Sequence, residues 1–550
     1  MKAQPNRYWD RETALVAQFA ACVSFVSFAY YFQHGGLLLY GDAVAHINIA
    51  RRVFDSRTPG LLQLGTVWLP LPHLLMITFL LSDSAWQSGI GGSIPSMAAY
   101  VLGTAGIFRL VRNALSFDSQ SEPAARIAAW LAAIIYAANP NLIYLQITAM
   151  TESGYLALFV WAVVFFSEFV RESSRNDGPR GATPSSLVKC GLCLVAACLT
   201  RYDGWLLAAA MCVAGFAVML RARQNDQALR RSFAKFVLLA AVAPALWFAY
   251  NAIIYRNPLE FANGPYSARA IEQKNATTGS PSHPGSHDLP VAYSYFLKSA
   301  ELNMAEGNWQ KLWVALLLVG TLAILILDRR LWPLLLLWVP LPFYMLSIAY
   351  SGVPIFLPTW WPFSFYNVRY GLQLLPLFAV SAALPTYFLI RLGGNRSART
   401  AVVSAVLIIL TASYASVWIA QPVCFREAWV NSRTRLALET ELASELKRLP
   451  RDSALLMYLG DHVGAFQQAG IPLRRTVNEG NHRPWKVPVD SEGLWERALA
   501  NPSQYVDFVV ALEGDQVAAS VQKQGLSSMM VIRTAGQPPA TIYWTHRNTR

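Results

Sequence analysis

Asp42 and His46 stand four residues apart in Gly41-Asp42-Ala43-Val44-Ala45-His46, just past the first long apolar stretch, residues 14–32. A second acid, Glu152 in Met150-Thr151-Glu152, lies between two later apolar stretches. Ionisable groups at or near membrane depth are costly to place and mark functional sites. A carboxylate at such a mouth can take the proton of an acceptor hydroxyl in a displacement at a sugar carbon. If residues 40–54 are helical, Asp42 and His46 share one face. Each acid has a structural alternative. Asp42 can cap a helix that opens after Gly41, and Thr151 or Glu152 can serve at a helix start, where negative charge suits the macrodipole. For His46 the alternative is a hydrogen-bonded structural imidazole.

Basic groups accompany the acids. Arg201-Tyr202-Asp203-Gly204-Trp205 interrupts an apolar run, and Tyr366-Asn367-Val368-Arg369-Tyr370 opens a later one. Arg369 is the one basic residue of loop 351–370. A guanidinium fork suits a lipid-borne phosphate. The alternatives are an Arg–Asp pair in a tight turn for Arg201 and snorkelling to the interface for Arg369. His283, His287 and Asp288 could mimic a metal triad, but their Pro/Ser/Gly-rich loop argues for solvated side chains. There is no P-loop, no GxGxxG and no DxD cluster, which removes the support for a nucleotide-sugar site.

The elements that must carry these groups are membrane helices. The chain is 54% hydrophobic and only 14% charged, with mean hydropathy +0.32; soluble domains carry about 25% charged residues. About eleven spans are expected, at 14–32, 90–108, 124–144, 150–170, 186–200, 203–220, 236–255, 309–327, 331–350, 371–390 and 400–420. Residues 67–81, with Pro70, Pro72 and His73, read as a helix lying at the interface. The loops on one side (1–13, 109–126, 171–189, 221–235, 328–331 and 391–399) hold 20 Lys and Arg, against 9 in the opposite loops. That bias puts the N-terminus in the cytoplasm, and the outer loops 34–66 and 256–308 and the C-terminal region outside. The net charge of +13 is then a topology signal, and no basic–aromatic nucleic-acid motif appears. The first span lacks a small-residue cleavage site and reads as a permanent anchor.

Five of the six cysteines fall in apolar spans, so no disulfide framework is expected, and the Cys190/Cys193 pair reads as packing. Composition changes near residue 427, which divides a membrane unit (1–426) from a small C-terminal α/β domain (427–550). Its apolar runs are 454–459, 505–512, 529–532 and 541–544, preceded by a charged helix over 433–448. This domain is expected to be extracytoplasmic and separable.

Residues 10–420 resemble the polytopic glycosyltransferases of the GT-C class that use lipid-linked sugars, among them the protein O-mannosyltransferases and the transferase that puts aminoarabinose on lipid A. The resemblance rests on Gly41-Asp42, the Pro-rich stretch Trp68-Leu69-Pro70-Leu71-Pro72-His73, Thr151-Glu152, Leu199-Thr200-Arg201-Tyr202-Asp203-Gly204, and Arg369-Tyr370-Gly371-Leu372-Gln373-Leu374-Leu375-Pro376. The chain departs from the family in having Ala43 where a second acid is usual, Glu152 where Asp is common, and Arg201 where Lys is frequent. The resemblance implies an inverting transfer from a polyprenyl-phosphate sugar to an extracytoplasmic acceptor (glycan, lipid or protein) at a bacterial inner membrane. It implies Asp42 as general base with Glu152 orienting, and a substrate site of His46, His73, Arg201, Tyr202, Asp203, Tyr366, Asn367, Arg369 and Tyr370. It leaves room for a divalent metal and names no other cofactor and no metal ligand. A lipid-linked-sugar transporter or flippase would show inverted repeats and broken helices at the midplane, and neither is seen. A non-catalytic scaffold leaves the one-sided placement of Asp42, Glu152 and Arg369 unexplained.

Overall fold

The computed structural model describes residues 10–116, 122–173, 185–221, 227–277, 282–326, 328–393, 395–460, 462–481 and 493–546. Of the basic residues behind the charge bias, Lys2, Arg7, Arg175, Arg180 and Arg223 lie outside these. Among the described residues, nine helices are long and apolar enough to cross a membrane. Two of the eleven expected spans take a shorter form. Residues 124–144 become Glu122–Ala137 and, beyond a break at Asn139-Pro140, Pro140–Leu145. Asn139 caps the second piece by accepting from the Asn141 and Leu142 amides, and Pro140 suits a first helical turn. The stretch 186–200 contains the 14-residue helix Ser185–Cys198. The short helix expected within 67–81 is present as Leu71–Leu80.

Two further spans depart from regular α-helix. Residues 331–350 split into the 3₁₀ segment Arg329–Trp338 and the helix Pro340–Tyr350. The tenth span opens as a 3₁₀ turn, Val368–Leu374, before the helix Leu375–Leu392. Asn367 enters that turn in the left-handed region (φ 55°), which Asn tolerates better than most residues. Gly371 lets the turn press onto the helix Leu289–Met304: a Cβ there would lie 2.3 Å from the Ser299 carbonyl carbon. The turn and its Arg369 are thus seated against backbone.

Beyond the last span, the helix Val423–Leu446 leads to a five-stranded sheet. Its strands are β1 (Leu455–Met457), β2 (Thr476–Val477), β3 (Phe508–Leu512), β4 (Ser527–Ile532) and β5 (Ala540–Trp544), in the order β2-β1-β3-β5-β4. β2, β1 and β3 are parallel, while β5 runs antiparallel to both β3 and β4. Alternation along the strands divides two cores. Leu455, Met457, Phe508 and Val510 join the large core continuous with the membrane unit, and Leu456, Val509 and Ala511 pack with Trp495 and Val517. The α/β expectation holds, with β2 the strand that the sequence did not announce.

The C-terminal unit is not a detached appendage, since hydrogen bonds join it to the membrane unit. Glu427, Arg435 and the sheet's loops all bond to the membrane unit. Asp55 accepts from the Leu473 and Arg474 amides, Asn48 donates to Gln467, and Gln63 donates to the Gly480 carbonyl. These buried polar groups need partners, and the partners lie across the expected boundary.

Candidate active site

The helix Gly41–Arg52 begins with Tyr40 at its N-cap position, without a side-chain cap bond, and Asp42 in its first turn. Capping therefore does not account for Asp42. Its Oδ2 instead accepts from Arg369 Nη2 at 2.5 Å, and its side chain stays 42% exposed. Arg369 Nη1 donates to Glu427 at 2.7 Å and its Nε to Glu152 at 3.2 Å. Arg369 is buried and does not snorkel.

Glu152 starts the helix Glu152–Ser173 and is fully buried. Its Oε1 also accepts from Arg201 Nη1 at 3.2 Å. Arg201 donates further to Thr151 Oγ1 (2.9 Å) and the Tyr344 hydroxyl (2.7 Å), and its Nε lies 3.4 Å from Asp203 Oδ1. Tyr344 donates to Asp203 at 3.1 Å. The Tyr370 ring lies 5.0 Å from both guanidinium groups, a doubled cation–π contact that lets two cations sit close. Four carboxylates and two guanidinium groups thus form one connected cluster. Each buried charge has a partner, as low-dielectric surroundings require.

Beside the cluster, His46 Nδ1 and His73 Nε2 share a hydrogen bond at 2.8 Å, and the His46 ring lies 4.6 Å from that of Trp68. Burial first, then the Arg369 and Arg201 charges, hold His46 down at about 3. Burial, then His46 and Arg52, pushes His73 well below the ordinary histidine range. Both imidazoles fold neutral, whereas in the unfolded chain they titrate near 6.5. Below that pH the unfolded state takes up protons that the folded state refuses, so stability is full above about pH 7 and falls on acidification. The thermal midpoint in detergent is expected to drop between pH 7.5 and 5, and the double change His46→Gln/His73→Gln is expected to flatten that drop. An equal drop in both proteins would contradict the neutral pair.

Asp42, His46, Glu152, Arg201, Asp203 and Arg369 line a cavity of about 2380 Å³, bounded also by residues 62–69, part of the loop 256–308, and the C-terminal unit. Trp205, Leu206, Phe261 and Phe343 give it an apolar side, and Tyr458, Glu479 and Glu496 line it from the C-terminal unit. Tyr202 lines it too, with its hydroxyl donating to the Val67 carbonyl. Tyr366 and Asn367 are at the rim: Tyr366 pairs with Phe356 in an isolated bridge, and Asn367 Nδ2 donates to the Pro354 carbonyl. All eleven site residues expected from sequence therefore gather at one place, His73 in direct contact with His46.

Sequence reading missed Glu427, Tyr344 and Tyr40. Glu427 accepts from Arg369 and from the Asn367 and Val368 amides, and Tyr40 stacks under Arg369 at 5.1 Å. A buried acid at the base of a charged helix looks like any solvated helix residue in sequence, so no local signal marked Glu427. The metal-triad alternative fails on geometry: His283 bonds to the Ile355 carbonyl and the Gly285 amide, and Asp288 caps the helix Leu289–Met304. Among the described residues no group of three or more His, Cys, Asp or Glu side chains comes together to hold a metal. The cluster's acids are each met by a guanidinium, a set that does not fit a metal ion.

No family model and no characterised sequence matches the chain. Solved structures do. The crystal structure of ArnT from Cupriavidus metallidurans bound to undecaprenyl phosphate superposes with a TM-score of 0.57 at 14% identity, over 97% of each chain. Its apo form matches at 0.57 and 13%, over 97% of this chain and 98% of that one. The apo Archaeoglobus fulgidus oligosaccharyltransferase matches at 0.48 and 13%, over 92% of this chain and 70% of that one. Membrane helices and C-terminal unit together therefore share the fold of ArnT along nearly the whole chain.

Proposed function

We propose that the chain is an inverting glycosyltransferase that moves a sugar from a polyprenyl phosphate to an extracytoplasmic acceptor. The observation that carries this reading is the buried cluster in which Asp42 and Glu152 meet Arg369 and Arg201 at the edge of a large, partly apolar cavity. The undecaprenyl phosphate held by ArnT, a protein of the same fold, supports a lipid phosphate as the ligand.

The cluster carries two more carboxylates than guanidinium groups. An incoming phosphate therefore binds by taking a guanidinium face from a carboxylate. Asp42 is the one to yield, because the other three acids are at most 2% exposed and Asp42 is 42% exposed. The exchange leaves the phosphate on Arg369 and Arg201 and frees Asp42 as a base. The acceptor oxygen then attacks the anomeric carbon, its proton passes to Asp42, and the carbon–oxygen bond to phosphate breaks on the opposite face. The electron pair leaves on the phosphate oxygen held by the two arginines. The donor is already activated, so no ATP is needed. Glu152 orients both guanidinium groups.

Purified protein in nanodiscs, given sugar-charged undecaprenyl phosphate extracted from bacterial membranes and an extract of envelope glycans and lipids, is expected to release undecaprenyl phosphate. No release above the protein-free rate would count against the reading. We further place the chain in a bacterial inner membrane with the cluster and the C-terminal unit outside, as the positive-inside bias suggests. Alkaline phosphatase fused after Arg550 is expected to be active, and green fluorescent protein dark. A bright fusion with inactive phosphatase would put the C-terminal unit in the cytoplasm.

A further inference from the structure

The helix Val423–Leu446, which carries the C-terminal unit, touches both halves of the proposed machinery at separate points. Near its start, the Cys424 carbonyl accepts from the Tyr40 hydroxyl at 2.8 Å. One turn on, Glu427 binds Arg369 at 2.7 Å and the amides of Asn367 and Val368 at 3.1 and 2.8 Å. Its carboxylate thus fixes the guanidinium and the backbone turn that carries it. Two turns further, Arg435 Nη2 donates to the Leu38 and Leu39 carbonyls at 3.0 and 2.9 Å, while Nη1 pairs with buried Glu439 at 2.7 Å. Leu38 and Leu39 lie in the short segment that leads into the Asp42 helix. The far end of that helix is held as well, through Asp55 and the Leu473 and Arg474 amides.

We infer that the C-terminal unit is a structural half of the active site, in which Glu427 positions Arg369 and Arg435 positions Asp42. The inference rests on the glycosyltransferase reading and deepens it. Glu427 does not line the cavity; Arg435 does, but its guanidinium is committed to the Leu38 and Leu39 carbonyls and to Glu439, so each acts through the residue it holds. A charge-assisted hydrogen bond fixes a donor far better than packing does, and a misplacement of about an ångström at the reacting groups costs rate steeply. Because the two contacts serve different groups, their loss has different consequences. Loosening Arg369 weakens the hold on phosphate. Loosening Asp42 misplaces the base and leaves phosphate binding intact.

The test measures two quantities on the full-length protein in nanodiscs: affinity for undecaprenyl phosphate, and its release from the sugar-charged pool at saturating donor. Glu427→Gln keeps the side-chain shape and removes the charge. It is expected to weaken undecaprenyl phosphate binding by roughly tenfold. The paired change Arg435→Met/Glu439→Met removes the second contact without stranding a buried carboxylate. It is expected to leave binding within about twofold and lower turnover by roughly tenfold or more. Glu427→Asp, which keeps the charge, is expected to recover part of the lost affinity. If both variants change both quantities together, or change neither, the inference is overturned. Failure of the glycosyltransferase reading looks different: wild type itself then neither binds undecaprenyl phosphate nor releases it.

Discussion

Asp42→Asn is expected to lower turnover by at least about a hundredfold, the scale of a lost general base. The amide keeps the size of the side chain and can still accept from Arg369 through its oxygen, so the helix start and the cluster geometry are retained. It cannot take a proton from the acceptor. Affinity for undecaprenyl phosphate is expected to hold or rise, because a neutral amide competes less well than a carboxylate for Arg369. Release of undecaprenyl phosphate from the sugar-charged pool and direct binding of undecaprenyl phosphate report the two effects separately. Near-normal turnover by the variant would reduce Asp42 to a partner of Arg369 and remove it from the chemistry.

Arg369→Lys is expected to weaken undecaprenyl phosphate binding by roughly tenfold or more, because an ammonium offers no planar fork. The guanidinium here reaches Asp42, Glu152 and Glu427 from three different nitrogens. One ammonium nitrogen cannot reproduce that spread. Arg369→Ala is expected to be harsher, costing ~3–5 kcal/mol of stability, since it leaves the buried Glu427 carboxylate without its cation. Titration in detergent compares wild type with Arg369→Lys, and chemical denaturation compares it with Arg369→Ala. Equal affinities in the first comparison would detach Arg369 from the phosphate.

How much of this was legible in the sequence differs from residue to residue. The apolar stretches announced the long helices, because lipid demands continuous apolar length and internally satisfied backbone. Asp42, Glu152 and Arg369 stood out because charge at a membrane mouth is rare enough to need a reason. Their direct contact was not legible. Asp42 and Arg369 are 327 residues apart, and only packing of the turn Val368–Leu374 against Leu289–Met304 brings the guanidinium to the acids. Glu427 was hidden for a related reason. It sits next to Arg426 at the start of a charged helix, where acids are ordinarily solvated, and its burial depends on how that helix crosses the turn. The bonds between the C-terminal unit and the membrane unit were hidden in the same way, since a composition change marks a shift in environment and says nothing about which hydrogen bonds cross it. The sheet was legible where strands were apolar runs; Thr476–Val477, two residues long, gave no periodic signal.

In the proposed reaction a lipid phosphate displaces Asp42 from Arg369 and leaves that acid free beside the reacting carbon. A structure of the full-length protein in nanodiscs with undecaprenyl phosphate tests it most directly. Phosphate oxygens are expected within hydrogen-bond distance of Arg369 and Arg201, the polyprenyl chain along the Trp205–Leu206–Phe343 side of the cavity, and Asp42 no longer bonded to Arg369. Phosphate bound away from both arginines, with the Asp42–Arg369 pair intact, would contradict it.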